Sequence, residues 1–325
     1  MKLLIFKSRL PAFEPVDKSC RKAFLAKTRI KNIGVDQSIA KYIAYKYPHI
    51  TVHYKDPFKV RLDEYDAVYL GLEYWSMSHV LYEQGTAELD RYTRMLKSIR
   101  HKLIVPESFV DFAQDKCAFN RVMQKLGIPA APTKCVKLTQ DTDLRRVYDS
   151  VRRTAWGKKK VFAKPIPGEG SHDIFSFDSF ESFRDGMNQV LRQKMYTHVV
   201  FQRFMPDFAT DKHPELRTYW IGDRYQVGVR TTTLGYYAGR IKRLPKAIRE
   251  HTQAMIRYFE RTHKFHFVCA RFDWGFDKDI GYFINEMELL PGFFNEELSE
   301  HDMPECAWDL DMRVGDRIAD ILSKK

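Results

Sequence analysis

Two stretches of this 325-residue chain carry side chains whose types and spacing suit phosphate and metal chemistry. The first is Val161-Phe-Ala-Lys-Pro-Ile-Pro-Gly-Glu-Gly-Ser171. A β-rich run delivers Lys164, a loop holding Gly168, Gly170 and Ser171 follows, and a second β-rich run covers Ile174 to Phe177. Glycines let backbone N–H groups approach a ligand closely, and such amides beside a lysine make a phosphate cradle. The order is not that of a P-loop, where the lysine follows the glycines and a helix comes next. Alone, the stretch fits an ordinary glycine-containing hairpin equally well.

The second stretch is Cys269-Ala-Arg-Phe-Asp-Trp274, a turn at Asp277 to Gly281, and then Tyr282-Phe-Ile-Asn-Glu-Met-Glu-Leu-Leu-Pro-Gly-Phe293. Side chains alternate along a strand, so Arg271 shares a face with Asp273, and Glu286 with Glu288. A hairpin that presents three carboxylates and one arginine on a face is costly unless a cation sits among them. Hard oxygen donors suit magnesium, which keeps waters and bridges to nucleotide phosphates. A solvated acidic edge is the competing explanation.

The elements that must position these groups are legible in outline. Residues 1–105 read as an alternating α/β lobe, with strands at Leu3–Phe6, Ala67–Leu70 and Leu103–Val105. Between the last two, Leu89, Tyr92, Leu96 and Ile99 recur at helical spacing. Asp115 to Leu126 forms a second amphipathic helix, closed by Gly127 and Pro129. From Val161 onward the pattern is strand-rich, with strands at Val199–Phe204, Arg217–Ile221 and Tyr225–Arg230. A helix with Ile248, Met255 and Phe259 inward interrupts it. The expected organisation is three lobes, 1–105, 106–205 and 206–325.

Taken together and in this order, residues from about Asp115 to Phe294 resemble the ATP-grasp superfamily, most closely its D-alanine:D-alanine ligase and ribosomal-protein glutamate ligase branch. The resemblance implies an α/β (α+β) fold: an N-terminal parallel α/β lobe followed by two lobes that clamp ATP. It implies that Lys116 and Lys164 reach the nucleotide phosphates and that Gly168, Gly170 and Ser171 close over them. It further implies that Gln202, Arg203, Phe204 and Met205 form the strand that holds adenine. Glu215-Leu-Arg217 resembles the family's acidic-x-Arg strand. Arg271 would steady the reacting acyl group, with Arg217 and Arg230 assisting, and Asp273, Glu286 and Glu288 would bind metal. Glu288 stands where the family usually has asparagine.

The activity so implied is ATP-dependent joining of a carboxylate to an amine through an acyl phosphate, with ATP and magnesium, or manganese in its place. Small-molecule or peptide carboxylates and amines are the implied substrates. An ATP-grasp kinase acting on a polyanionic acceptor, or a nucleic-acid-associated modifying ligase, is the alternative. The formal charge of +12 leaves room for a polyanionic partner, a nucleic acid or an acidic protein. The longest apolar runs fall far short of the roughly 20 residues of a membrane helix. The N-terminus lacks the features of a secretory signal, so a cytoplasmic location is expected. Five scattered cysteines suggest neither a disulfide framework nor a zinc knuckle and read as reduced thiols.

Overall fold

The structure is a computed structural model; it describes residues 1–7, 34–71, 86–139, 141–166, 173–193, 196–232, 237–289 and 308–324. In chain order the elements are β1 (Lys2–Phe6), α1 (Val35–Lys46), β2 (Thr51–Lys55), β3 (Ala67–Tyr69), α2 (Thr86–Ser98), α3 (Glu107–Gln114), α4 (Lys116–Leu126), β4 (Thr133–Lys137) and α5 (Leu144–Arg152). There follow β5 (Val161–Ile166), β6 (Phe175–Phe177), α6 (Phe180–Arg192), β7 (His198–Arg203), β8 (Glu215–Ile221), β9 (Arg224–Thr231), β10 (Tyr237–Arg240), α7 (Lys246–His263), β11 (Cys269–Asp277), β12 (Gly281–Glu288) and α8 (Trp308–Ser323). They divide into two compact units, residues 1–110, 216–273 and 287–325 in one and residues 111–215 and 274–286 in the other. The strands form sheets of order β2-β1-β3, β10-β9-β8-β11-β12 and β4-β7-β5-β6.

In the first unit β1 runs parallel to both β2 and β3. Its unbroken apolar run is what a parallel strand covered on both faces requires. Leu3 and Ile5 pack with Ile39 and Ile43 of α1 and with Val314 and Ile318 of α8. Leu4 and Phe6 face the other way, onto Val68, onto Tyr92 and Leu96 of α2, and onto Ile99 just after it. The expected third strand at Leu103–Val105 is reduced to a single parallel bridge between Val68 and Leu103. A short 3-10 turn at Arg100–Lys102 immediately precedes it, leaving too few extended residues for a ladder.

In the second unit β5 pairs antiparallel with β6 and β7, and β4 with β7. The sheet is covered by aromatic packing that joins Phe177, Phe183 and Phe201 at ring separations of 5.0 to 5.9 Å. Gly186 is required on α6 because a Cβ there would sit 2.3 Å from the Phe175 ring. Helix α4 follows the sequence expectation closely. Asp115 accepts from the N–H groups of Cys117 and Ala118 at its start. Gly127 closes it in the left-handed region at φ +66°, where glycine has no Cβ penalty.

The thiol expectation needs correcting, because Cys117 and Cys135 form a disulfide with Cα atoms 5.9 Å apart. Cysteine spacing conceals this pairing: the helix between them turns back through the Gly127–Pro132 stretch, so β4 returns to the helix's first turn. Cys269 is free and buried.

Candidate active site

Lys164 lies in β5, opposite Val200 of β7, and Pro165 next to it still keeps register with Val199. The neighbouring residues Ala163 and Val200 are buried, which fixes the strand and leaves the lysine's stem little freedom. Burial pushes the Lys164 ammonium down to about 8; the Lys116 ammonium adds to this, while Glu286 and Glu215 pull the other way. The second unit therefore gathers two lysines and two carboxylates, all four expected from the sequence. Lys116 donates to Glu286 Oε2 at 3.0 Å. Glu215 is buried and accepts from Asn285 Nδ2 at 3.3 Å. Asn285 escaped the sequence reading, although its place beside Glu286 on β12 was a signal.

Arg271 is 4% exposed and Asp273 1%. Two hydrogen bonds join them, Nε to Oδ1 at 2.8 Å and a terminal nitrogen to Oδ2 at 2.7 Å. The same guanidinium nitrogen lies 2.9 Å from Glu288 Oε1. Paired this way in a poorly solvated place, Arg271 keeps its proton well above any working pH, because Asp273 and Glu288 outweigh its burial. Tyr219, fully buried on β8, is its other charged-state neighbour. It shares a face with Glu215 and Arg217 by strand alternation, so it too could have been read from the sequence.

On the β11–β12 hairpin itself, one carboxylate oxygen from each of Asp273, Glu286 and Glu288 lies within 4.8 Å of the other two. Three hard oxygen donors at that spacing fit magnesium or manganese. Lys116 and Arg271 supply positive charge to the same acids, so the like charges are partly balanced without an ion.

The remaining expected residues are distributed as follows. Gln202 and Met205 are buried, Met205 against Ala131 and Phe283. Arg203 lies 3.5 Å from Asp279 and 4.0 Å from Asp277. Phe204 packs on Phe162 and beneath Lys160. Arg230 is exposed on β9, with its guanidinium over Gly239 of β10. Arg217 sits partly exposed on β8. Gly168, Gly170 and Ser171 lie outside the described residues.

Comparison with solved structures identifies the fold. D-cycloserine synthetase DcsG superposes with a TM-score of 0.70 over 98% of this chain and 99% of its own, at 16% identity. D-alanyl-alanine synthetase A from Vibrio cholerae gives 0.61 over 100% and 99%, at 12% identity. The macrocyclase MdnC from Microcystis aeruginosa, bound to its precursor peptide MdnA, gives 0.61 over 98% and 100%, at 14% identity. No protein-family model matches the chain, and no curated protein matches it by sequence. The chain has the ATP-grasp fold, and its structural neighbours are ATP-grasp ligases. No helix among the described residues is long and apolar enough to cross a membrane.

Proposed function

We propose that the protein is an ATP-dependent carboxylate–amine ligase that forms an amide through an acyl phosphate. The observation that carries this reading is the convergence of Asp273, Glu286 and Glu288 on one hairpin, with a lysine already against Glu286. Lys116 and Lys164 hold the nucleotide phosphates, and Gln202, Arg203, Phe204 and Met205 bracket the adenine, with Glu215 at the nucleotide. A carboxylate oxygen of the first substrate attacks the γ-phosphorus, and the bond to the ADP oxygen breaks. The amine of the second substrate then attacks the acyl carbon; its proton is lost, inorganic phosphate departs and an amide remains. Arg271 stabilises the oxyanion formed in that step, with Arg217 and Arg230 meeting the acyl phosphate. Magnesium or manganese held by Asp273, Glu286 and Glu288 would supply neutralisation of charge on the phosphoryl oxygens. Gly168, Gly170 and Ser171 form the cover that keeps water from the acyl phosphate. In this reading residues 1–105 select substrate, 106–205 hold nucleotide and 206–325 supply the metal acids.

The neighbours, which include a D-alanyl-alanine synthetase and a macrocyclase bound to its precursor peptide, support amino acids or peptides as the substrates to try first. The polyanionic partner expected from net charge draws less support, because Arg152, one of the closely spaced basic residues between Arg145 and Lys160, is engaged within the fold. The test is mass spectrometry of products after incubation with ATP, magnesium and pools of amino acids and peptides. ADP, free phosphate and a new amide are expected. ADP with a phosphorylated acceptor would make the protein a kinase instead.

A further inference from the structure

The disulfide between Cys117 and Cys135 stands within the second unit, beside both lysines of the candidate nucleotide site. At one end it holds the second residue of α4, directly after Lys116. At the other it holds β4, where Cys135 lies opposite Val200 of β7. Val200 in turn lies opposite Lys164 of β5. Directly opposed residues share a face of a sheet, so Cys135, Val200 and Lys164 form one row across β4, β7 and β5, about 10 Å from end to end at the usual strand spacing. The first turn of α4 lies over that row. Cys117 packs there on Val200 and on Ile166, which follows Lys164 along the same face of β5. The bridge therefore sets where Lys116 stands relative to Lys164.

The apolar cluster beneath that turn consists, among the described residues, of Cys117, Ile166 and Val200. The Asp115 cap and the bond from Asn120 to the Lys116 carbonyl lie within the helix and its cap and tie nothing to the sheet. The covalent bond is thus the principal link between the first turn of α4 and β4. Its two sulfurs differ in access. Cys117 is 2% exposed, whereas Cys135 is exposed on a strand at the edge of its sheet. Exposed disulfides are the ones that thiol exchange opens readily.

We propose that the Cys117–Cys135 disulfide is a redox switch on nucleotide binding, intact in the form that holds Lys116 beside Lys164 and opened by a dithiol reductant. A thiolate of the reductant attacks the Cys135 sulfur, the S–S bond breaks, and Cys117 leaves as a thiolate that takes up a proton. The reductant's second thiol, losing its proton, attacks the mixed disulfide and releases Cys135. The pair gains two electrons and two protons, and the dithiol becomes a disulfide. The first turn of α4 then loosens from β4, and Lys116 loses its fixed place. This assignment rests on the reading that Lys116 and Lys164 meet the nucleotide phosphates.

The test is calorimetry of a non-hydrolysable ATP analogue with magnesium against the protein in its oxidised form and after reduction with dithiothreitol, with hydrogen exchange at residues 116–120 followed without nucleotide. Reduction is expected to weaken the analogue about fivefold or more, within the usual range of coupling between sites. It should also raise exchange in the first turn of α4, and reoxidation should reverse both changes. Cys117→Ser with Cys135→Ser should bind as the reduced protein does and ignore dithiothreitol, which excludes an effect of Cys20, Cys269 or Cys306. Cys135→Ser alone serves if the double variant melts early. Lys116→Ala should bind weakly in both states, with the redox difference gone. Equal affinity in the two states would make the bridge a static staple, and a redox difference that survives in Lys116→Ala would show that it does not act through Lys116; either overturns the proposal. Failure of the oxidised protein to bind the analogue would bring down the nucleotide site itself, and the switch with it.

Discussion

Lys116 Nζ and Glu286 Oε2 lie 3.0 Å apart, joining the first residue of helix α4 to strand β12 across 170 residues of chain. Both side chains are about a quarter exposed, so the pair is stronger than a surface contact without being fully desolvated. The lysine is available to exchange this carboxylate for a phosphate oxygen. Lys116→Ala should weaken binding of a non-hydrolysable ATP analogue by about 1.5–3 kcal/mol, the value of a hydrogen bond to a charged group. Lys159→Ala, at an exposed position before β5, should leave it nearly unchanged. Calorimetry decides, and equal effects from the two variants would remove Lys116 from the phosphate site.

Lys164 gives a pH dependence with a definite sign. Its ammonium sits at about 8 in the folded protein against 10.5 for an ordinary lysine. Between those values the unfolded chain binds more protons than the folded one, so stability rises with pH across that window. Below it the burden of burying the charge is present in full. Lys164→Met should flatten the rise in melting temperature between about pH 8 and 10. Phosphate oxygens favour the charged lysine, so nucleotide binding above pH 8 should take up a proton. Titrations in two buffers of different ionisation enthalpy measure it; equal heats would show that Lys164 does not meet the phosphates.

Arg152 stands among the closely spaced basic residues Arg145, Arg146, Arg153 and Lys158 to Lys160, and its task lies within the fold. Its guanidinium donates to the carbonyls of Gly157, Lys159 and Asp178 and lies over the rings of Tyr148 and Phe177. Arg152→Ala removes these three hydrogen bonds, the one to Gly157 part-buried, together with the contacts to the two rings, and should cost about 1–2 kcal/mol. Arg146→Ala, exposed on the same helix, should stay within about 0.5 kcal/mol. Chemical denaturation of the two variants makes the comparison.

What the sequence disclosed follows physical lines. Local rules carried far: the span and Gly127 stop of α4, the strand at Leu3–Phe6, and the acidic faces of β11 and β12 all depend on near neighbours. Helix α7 buries Ile248, Met255 and Phe259 completely, as their spacing requires. Signals that depend on distant partners were weaker. Strand β2 has a half-exposed, polar run, Thr51-Val-His-Tyr-Lys55, and becomes a strand because β1 is there to pair with it. The disulfide depends on where β4 returns, and the Asn285–Glu215 contact joins residues 70 apart. Neither has a local signature. Arg271 was legible as a face-mate of Asp273, but its bond to Glu288 required the neighbouring strand.

That bond bears on the unusual residue at 288. Glutamate there adds a negative charge to the metal acids, and Arg271 lies against both it and Asp273. Arg271→Met leaves Asp273, 1% exposed, without its bidentate partner and should destabilise by about 3–5 kcal/mol. Glu286→Gln with Glu288→Gln is milder. Arg271 keeps both hydrogen bonds to Asp273, and the loss of repulsion among three acids offsets the weakened contacts. The double variant should stay folded, lose turnover and lose its grip on manganese, read by electron paramagnetic resonance without any substrate. Glu288→Asn, with a neutral oxygen donor, should bind manganese more weakly than wild type and more tightly than the double variant. Wild-type manganese affinity in the double variant would place the metal elsewhere and dismiss the hairpin acids from that role.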